Sequence, residues 1–124
     1  MYWNVSFPEL AYFIIKTSNE IFEQMLKVVK PDAVFCLNDE MAIGAFKALK
    51  ELNIDAPKDI TIKGFDDIQL ESYVQPSLST RSHPKFDYDT VTAECVFAGL
   101  GDNNTAVNMV LPTELIVRNS TNKK

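Results

Sequence analysis

The sequence predicts an α/β fold built around a parallel sheet, and three observations support this. Residues 33–37 (AVFCL) and 60–65 (ITIKGF) are short apolar runs of strand length. Between them, residues 39–52 (DEMAIGAFKALKEL) carry apolar positions at helical spacing. The connection is long enough to return the chain in parallel. The segment is therefore predicted to be a βαβ unit, Rossmann-like in its connectivity.

A helix is predicted to precede this unit, because apolar residues recur at helical spacing from residue 17 to residue 29. Thr17 and Glu20 have the spacing of a capping box, which predicts the start of the helix at Thr17. Pro31 predicts its end. The apolar run at 33–37 is typical of a parallel strand buried on both faces.

The second helix opens with acidic residues, which suit the positive end of the helix dipole. Gly44 lies within this helix. A glycine in a helix interior lowers helix stability by about 1 kcal/mol relative to alanine. Gly44 is therefore expected to be present because it permits close packing on the sheet. Gly64 is expected to do the same within its strand.

Five further segments are predicted after residue 76. They are a possible strand at 78–82, a helix at 87–98, extended pieces at 106–111 and 113–118, and a polar, mobile tail at 119–124.

Composition excludes several classes of protein. The formal charge of −5 and the scattered basic residues argue against nucleic-acid binding by this chain itself. No apolar run approaches the roughly 18–20 residues of a membrane span, and no signal sequence is recognisable, so a cytoplasmic protein is expected. Cys36 and Cys95 lack a CxxC spacing and are expected to be reduced.

The candidate site lies where the two predicted parallel strands end. Asn38 and Asp39 follow the first strand, and Asp66 and Asp67 follow the second. Ligands of open parallel sheets bind at this edge, so the four side chains are expected to lie close together. Amide and carboxylate groups without a neighbouring cation suit a neutral ligand rich in hydroxyl groups.

Alternatives remain at this point. Asp39 and Asp67 are as well suited to be helix caps or local supports as to be ligand contacts. Asn38 and Asp66 are therefore the better ligand candidates. Asp66 and Asp67 are also compatible with Mg²⁺ in a phosphotransfer enzyme, although no phosphate-binding glycine loop is present. His83 is the only histidine, and no catalytic constellation is recognised. We therefore expect no enzyme, no metal and no cofactor.

Residues 31–80 (from PDAVFCLNDEMAIGAF to QPSLST) and 110–121 (VLPTELIVRNST) closely resemble the C-terminal part of LacI/GalR-type bacterial transcription regulators. The resemblance implies a truncated periplasmic-binding-protein-like domain. It assigns residues 17–82 to the core of the C-terminal subdomain, residues 83–108 to a hinge crossing and a helix that packs on an absent N-terminal subdomain, and residues 109–121 to a returning strand.

The resemblance also implies a function: binding of a small effector, most commonly a sugar, and homodimerisation. DNA binding would belong to an N-terminal helix-turn-helix that is expected to be absent here. The family's ligand contacts fall on Asp66, Asn38 and His83, and many relatives have glutamine at the position of His83. A periplasmic-type solute-binding protein for sugar uptake is the alternative.

The third helix carries apolar residues that the resemblance leaves without a partner. Val91, Cys95, Val96 and Phe97 lie within it. We expect the helix, at about 87–100, either to fold back on its own sheet or to contact a second chain.

Overall fold

The computed structural model describes residues 7–69, 74–100 and 108–122. The elements run in the order α1 (Phe7–Val28), β1 (Ala33–Phe35), α2 (Asp39–Glu51), β2 (Thr61–Lys63), β3 (Thr80–Ser82), α3 (Lys85–Gly99) and β4 (Glu114–Ile116), followed by a 3₁₀ turn at Asn119–Thr121.

The βαβ unit is present as predicted. β1 and β2 pair in parallel, with Val34 opposite Ile62, and α2 forms the crossover between them. β3 and β4 pair antiparallel, with Thr80 opposite Ile116. A parallel bridge between Lys63 and Ser79 joins the two pairs. The chain is therefore α/β, and the ends of β1 and β2 lie at one edge of the sheet.

The prediction that β1 is buried on both faces is wrong. Cys36 belongs to the buried core and Val34 packs against it, but Phe35 is 55% exposed and Leu37 is 74% exposed. Successive side chains of a strand point to opposite faces. One face of this segment therefore packs on the core while the other stays open to solvent.

The predicted start of the first helix is also wrong. α1 begins at Phe7, and Thr17 lies in its interior rather than at a cap. Pro8 does not prevent this, because a proline in the first helical turn lacks only an N–H group that has no partner there in any case. The helix ends at Val28, shortly before Pro31.

Gly44 permits close packing, but its neighbour is α1 and not the sheet. A Cβ atom at Gly44 would lie 2.5 Å from the carbonyl oxygen of Ile15 and 2.8 Å from the Cβ of Ser18. The same helix pair is also joined by the Asn19 side-chain amide, which donates to the Glu51 carboxylate at 3.2 Å. The absence of a side chain at position 44 thus lets α1 lie directly on α2.

The core lies between these two helices and β2. Leu49, Ile62 and Leu78 are its largest fully buried apolar side chains. Full burial of side chains of this size stabilises the fold by about 1.5–3 kcal/mol each. Ala42, Ala45 and Ala48 of α2 are also buried in this core.

The tail is not a mobile polar segment over residues 119–122. Ser120 is fully buried, and its hydroxyl donates to the Ile62 carbonyl at 2.6 Å and accepts from the Ser79 N–H at 2.8 Å. Its own N–H donates to the Ser77 carbonyl at 2.9 Å. Hydrogen bonds to β2 and to the start of β3 therefore hold the 3₁₀ turn in place.

α3 spans slightly more than the predicted 87–98. Val96, Phe97 and Leu100 are 56%, 75% and 77% exposed, so for these residues the helix does not fold back on its own sheet. Of the predicted extended piece 106–111, residues 106 and 107 lie outside the described parts of the chain, and residues 108–111 form no strand. In the parts described, no helix combines the length and apolarity needed to cross a membrane.

Candidate functional site

The turn after β2 places the candidate acids in an uncommon backbone conformation. Asp66 has φ = 105° and Asp67 has φ = 53°. Residues other than glycine adopt positive φ rarely and at an energetic cost, so surrounding contacts must hold them there. The Asp66 N–H donates to the Arg81 carbonyl at 3.0 Å, and the Asp67 N–H donates to the Thr80 hydroxyl at 3.3 Å. β3 therefore holds the turn.

Two of the predicted ligand residues meet at this turn. His83 Nε2 lies 3.2 Å from Asp66 Oδ1. The Asp66 side chain is 43% exposed and that of His83 is 32% exposed, so both reach solvent. A carboxylate in this position can accept hydrogen bonds from the hydroxyl groups of a ligand, while the imidazole can donate or accept. The pair is therefore a partly exposed polar feature of the sheet edge described above.

A row of aromatic rings flanks the Asp66–His83 pair. The Phe65 ring centroid lies 5.0 Å from that of His83 and 6.4 Å from that of Phe35, both in edge-to-face arrangements. Tyr88 continues the row beyond His83, with 6.3 Å between ring centroids. Sequence reasoning missed this row, although strand alternation could have placed Phe35 and Phe65. Apolar rings with a few polar groups among them are typical of small-molecule sites.

A groove continues from this row along α3. It has a volume of about 620 Å³ and is bounded on one side by α3 and on the other by residues 108–113. His83 and Tyr88 line the groove, and His83 is the residue that contacts Asp66. Val91, Cys95 and Met109 give it a largely apolar lining. The groove therefore extends the space available beside the acid.

Asn38 caps α2, so of the two roles predicted for Asp39, helix cap or local support, the cap is excluded. Asn38 has extended backbone angles (φ = −148°, ψ = 171°), and its Oδ1 accepts from the Met41 N–H at 2.8 Å. A cap must be extended and one residue outside the helix. Asp39 is already the first helical residue, which rules it out. The cap engages the oxygen of Asn38, and the predicted ligand contact can use the NH₂ group.

Asp39 instead lies buried beneath the turn. It is fully buried, and its Oδ1 accepts from the Thr80 hydroxyl at 2.7 Å while Oδ2 accepts from the Ile68 N–H at 3.0 Å. A Cβ atom at Gly64 would lie 2.0 Å from Oδ1. Gly64 is therefore required because the Asp39 carboxylate occupies the space a side chain would need.

Asp67 is held by its neighbours rather than turned toward the groove. Its Oδ1 lies 3.2 Å from Arg118 Nη2, and its Oδ2 accepts from the Ser82 hydroxyl at 2.9 Å. Arg118 also donates through Nη1 to the Leu78 carbonyl at 2.8 Å. Sequence reasoning missed Arg118; the signal available was a single arginine after the apolar residues of the returning strand.

These contacts bear on the metal hypothesis. Both carboxylate oxygens of Asp67 already bind a guanidinium or a hydroxyl group, so the Asp66–Asp67 pair does not present two converging carboxylates to a cation. Within residues 7–69, 74–100 and 108–122, no group of three or more His, Cys, Asp or Glu side chains could hold a metal ion.

Cys36 lies in the core near Asp39 and has an unreactive thiol. Burial, and secondarily the negative charge of Asp39, raise the pKa of the Cys36 thiol from 9.0 to about 11. The thiolate is the nucleophilic form of cysteine. Cys36 is therefore protonated at neutral pH and does not supply a nucleophile.

The fold is α/β with a candidate ligand site at the carboxyl edge of its parallel sheet, an arrangement typical of small-molecule-binding modules. Residues 5–121 match the family of periplasmic binding protein-like domains, and the chain belongs to this family. Its relatives place it with the effector-binding domains of LacI/GalR-type regulators, as the sequence resemblance predicted.

Three comparisons illustrate this. The lactose operon repressor of Rhizobium radiobacter is 35% identical over 95 residues, which cover 77% of this chain and 84% of that sequence. A LacI family transcriptional regulator from Enterococcus faecium with bound ribose is 28% identical with a TM-score of 0.76, covering 86% of this chain and 40% of that chain. The lac repressor dimer bound to operator and the anti-inducer ONPF is 27% identical with a TM-score of 0.76, covering 85% of this chain and 37% of that chain.

The chain matches only part of most curated relatives. It spans between 20% and 31% of the length of four other bacterial regulators, a ribose operon repressor and three HTH-type transcriptional regulators or repressors. It therefore corresponds to a portion of the effector-binding domain.

Proposed function

We propose that this chain is the effector-binding and dimerisation part of a LacI/GalR-type transcriptional regulator, and that Asp66 is its principal ligand-binding acid. The observation that carries the proposal is the partly exposed Asp66–His83 pair at the carboxyl edge of the parallel sheet. DNA recognition in the whole regulator would belong to a helix-turn-helix elsewhere in the protein. The operator-bound dimer among the similar structures supports dimerisation.

The effector is a neutral sugar or a comparable hydroxyl-rich metabolite. Asp66 would accept hydrogen bonds from ligand hydroxyl groups, and His83 would donate or accept one. The rings of Phe65 and Tyr88 would cover the less polar face of the ligand, because aromatic side chains line such sites. The ribose in a structurally similar regulator supports this ligand class.

The chain supplies one wall of the binding cleft. Residues 17–82 would form the core of one subdomain, residues 83–108 the hinge crossing and the helix that packs on the other subdomain, and residues 109–121 the returning strand. Residues 101–107 lie outside the described parts of the chain. With a single wall, ligand contacts are fewer, so we expect a millimolar dissociation constant for the 124-residue chain alone.

In the complete regulator, effector binding would alter operator affinity through the arrangement of the two subdomains. A ligand shifts such an equilibrium only if it binds one arrangement better than the other. A site built by both subdomains meets this condition, because closing the cleft adds contacts that the open form lacks.

We propose that the chain is not an enzyme. The hydroxyl of Ser82, which neighbours His83, bonds to the Asp67 carboxylate and to the His83 backbone carbonyl and not to a ring nitrogen. The Asp66–His83 pair therefore has no activated serine beside it in the residues described, and the buried thiol of Cys36 is protonated.

The test is a titration with D-ribose followed by ¹H–¹⁵N NMR on the chain. The resonances of Phe65, Asp66 and His83 are expected to shift with a dissociation constant in the millimolar range. Asp66→Asn is expected to weaken binding about tenfold or more, because a hydrogen bond to a charged group contributes about 1.5–3 kcal/mol.

Asp32→Asn is the matched control, because Asp32 is an exposed aspartate before β1 and outside the site. It is expected to leave the titration unchanged. Equal weakening by both substitutions, or saturable shifts that avoid Asp66 and His83, would contradict the assignment. A dissociation constant well below a millimolar would contradict the single-wall interpretation.

A further inference from the structure

The turn that carries Asp66 is hydrogen-bonded to the buried hydroxyl group of Thr80. Thr80 is fully buried in β3. Its Oγ1 donates to Asp39 Oδ1 at 2.7 Å and accepts from the Asp67 N–H at 3.3 Å. A single hydroxyl thus connects a buried carboxylate of α2 to the backbone of the ligand turn.

The same carboxylate holds the turn at a second point. Asp39 Oδ2 accepts from the Ile68 N–H at 3.0 Å. Both oxygens of this fully buried acid are therefore directed at the turn, one through Thr80 and one directly. The approach is so close that a Cβ atom at Gly64 would overlap Oδ1, at 2.0 Å.

The turn needs such support because of its backbone geometry. The φ angles of 105° at Asp66 and 53° at Asp67 are costly for residues with a side chain. Loss of the partner of the Asp67 N–H would remove the hydrogen bond made by the peptide between these residues, and would favour its rotation toward ordinary angles. Rotation there would carry the Asp66 carboxylate away from His83.

We infer that the Thr80 hydroxyl is a positioning group for effector binding: by bridging Asp39 and the Asp67 N–H, it fixes the left-handed turn that directs Asp66 toward His83 and the groove. Thr80 is buried and does not touch the ligand. The inference rests on the proposed role of Asp66 and adds the group that sets its orientation.

Thr80→Val and Thr80→Ser test this as a matched pair. Valine keeps the volume of threonine and removes the hydroxyl, whereas serine keeps the hydroxyl and removes a methyl group. Amide hydrogen exchange by NMR on the 124-residue chain reports on the turn, with the amides of α2 as the internal reference. In Thr80→Val, exchange at Asp67 and Ile68 is expected to accelerate about tenfold or more relative to α2.

The orientation of Asp66 gives a second readout. The nuclear Overhauser effect between the Asp66 Hβ atoms and the His83 ring is expected in the wild type and in Thr80→Ser, and is expected to be lost in Thr80→Val. Restoration by serine would attribute the effect to the hydroxyl and not to packing.

Two results would overturn the inference. One is that Thr80→Val changes neither the amide hydrogen exchange at Asp67 and Ile68 nor the nuclear Overhauser effect between Asp66 and His83. The other is global unfolding or uniform acceleration in Thr80→Val, because the hydroxyl would then support the whole domain and not the turn.

The sugar titration separates this inference from the proposed function. D-ribose affinity is expected to fall about tenfold in Thr80→Val and to stay within about twofold of the wild type in Thr80→Ser. If D-ribose causes no chemical-shift change at Asp66 in the wild type, the proposed ribose binding is contradicted. Amide hydrogen exchange and the nuclear Overhauser effect between Asp66 and His83 would still test the positioning role of Thr80.

Discussion

Arg118 and Asp67 form a largely buried ion pair between residues that are far apart in the sequence. The guanidinium Nη2 lies 3.2 Å from Asp67 Oδ1, and the two side chains are 24% and 18% exposed. Through Nη1 the same arginine donates to the Leu78 carbonyl at 2.8 Å. The end of the returning strand is thus tied to the turn that carries Asp66.

The first prediction concerns this pair. Arg118→Met keeps the apolar stem of the side chain but removes the guanidinium from the partly buried Asp67 carboxylate. We expect a loss of about 2 kcal/mol in the free energy of unfolding, because charged hydrogen bonds contribute about 1.5–3 kcal/mol. Urea denaturation monitored by circular dichroism measures this change in the free energy of unfolding.

Lys27→Met is the control for Arg118→Met. Lys27 lies 3.3 Å from Glu23, a similar separation, but the side chains are 61% and 36% exposed. Exposed helix pairs contribute less than about 0.5 kcal/mol. Equal losses of unfolding free energy in the two variants would show that burial does not strengthen the ion pair between Arg118 and Asp67.

The second prediction concerns the close approach of Asp39 to Gly64. A methyl group at position 64 would lie 2.0 Å from Asp39 Oδ1 and 3.0 Å from a Leu78 methyl carbon. Gly64→Ala must therefore displace a buried carboxylate, and we expect a loss of about 2–3 kcal/mol in stability. Thermal denaturation measures the change.

Gly99→Ala serves as its counterpart. Apart from its chain neighbours and the backbone of its own helix, no atom of the described residues lies within 4 Å of a Cβ built at Gly99, near the end of α3. The substitution is expected to leave stability unchanged or to raise it by up to about 1 kcal/mol, through helix propensity. A neutral Gly64→Ala would show that the Asp39 carboxylate moves aside without cost.

The third prediction concerns Cys36 at alkaline pH. The unfolded thiol has a pKa of 9.0 and the folded one about 11, so the unfolded chain releases this proton first as the pH rises. The contribution of Cys36 to stability is complete below pH 9 and declines as the pH rises toward 11. The full difference, for a rise of about two pKa units, is about 3 kcal/mol.

Comparison of variants isolates this contribution from other groups that titrate in the same range. Cys36→Ala is expected to flatten the decline in unfolding free energy between pH 9 and pH 11, whereas Cys95→Ala is expected to retain it. At pH 8, iodoacetamide should modify Cys95 much faster than Cys36, because Cys36 is the buried thiol. Equal rates at the two cysteines would contradict the burial of the Cys36 thiol, which is the main cause of its raised pKa.

Periodicity was sufficient to predict the βαβ unit. The apolar runs around Val34 and Ile62 and the amphipathic segment between them are local signals, and the structure pairs the two strands in parallel. The start of α1 was missed because a capping box is a pattern of residue types that also occurs within helices. Thr17 and Glu20 match it and still lie in the interior of α1.

The site was less predictable because its contacts join distant parts of the chain. The cap at the start of α2 was placed one residue too late, since asparagine and aspartate are both good caps and adjacent here. Arg118 meets Asp67 across 51 positions, and Ser120 meets Ile62 across 58. Only the folded chain shows that this polar segment is structural and that Thr80 lies beneath the turn.

The fourth prediction separates the two roles of Asn38. Its Oδ1 caps α2 through the Met41 N–H, whereas the proposed ligand contact would use its NH₂ group. Asn38→Ser keeps a good cap without placing another charge beside Asp39, and Asn38→Ala removes the cap. We expect Asn38→Ala to lose about 1 kcal/mol in stability and Asn38→Ser to lose little.

The affinity of the same two variants for D-ribose then tests the ligand contact. Both lack the NH₂ group, so both are expected to bind about tenfold more weakly than the wild type, although only Asn38→Ala is destabilised. Urea denaturation and NMR titration on the same samples give the two quantities. If Asn38→Ser binds D-ribose with wild-type affinity, then Asn38 caps α2 but does not contact the ligand. A loss of stability as large in Asn38→Ser as in Asn38→Ala would instead show that the Met41 hydrogen bond is not the main contribution of this side chain.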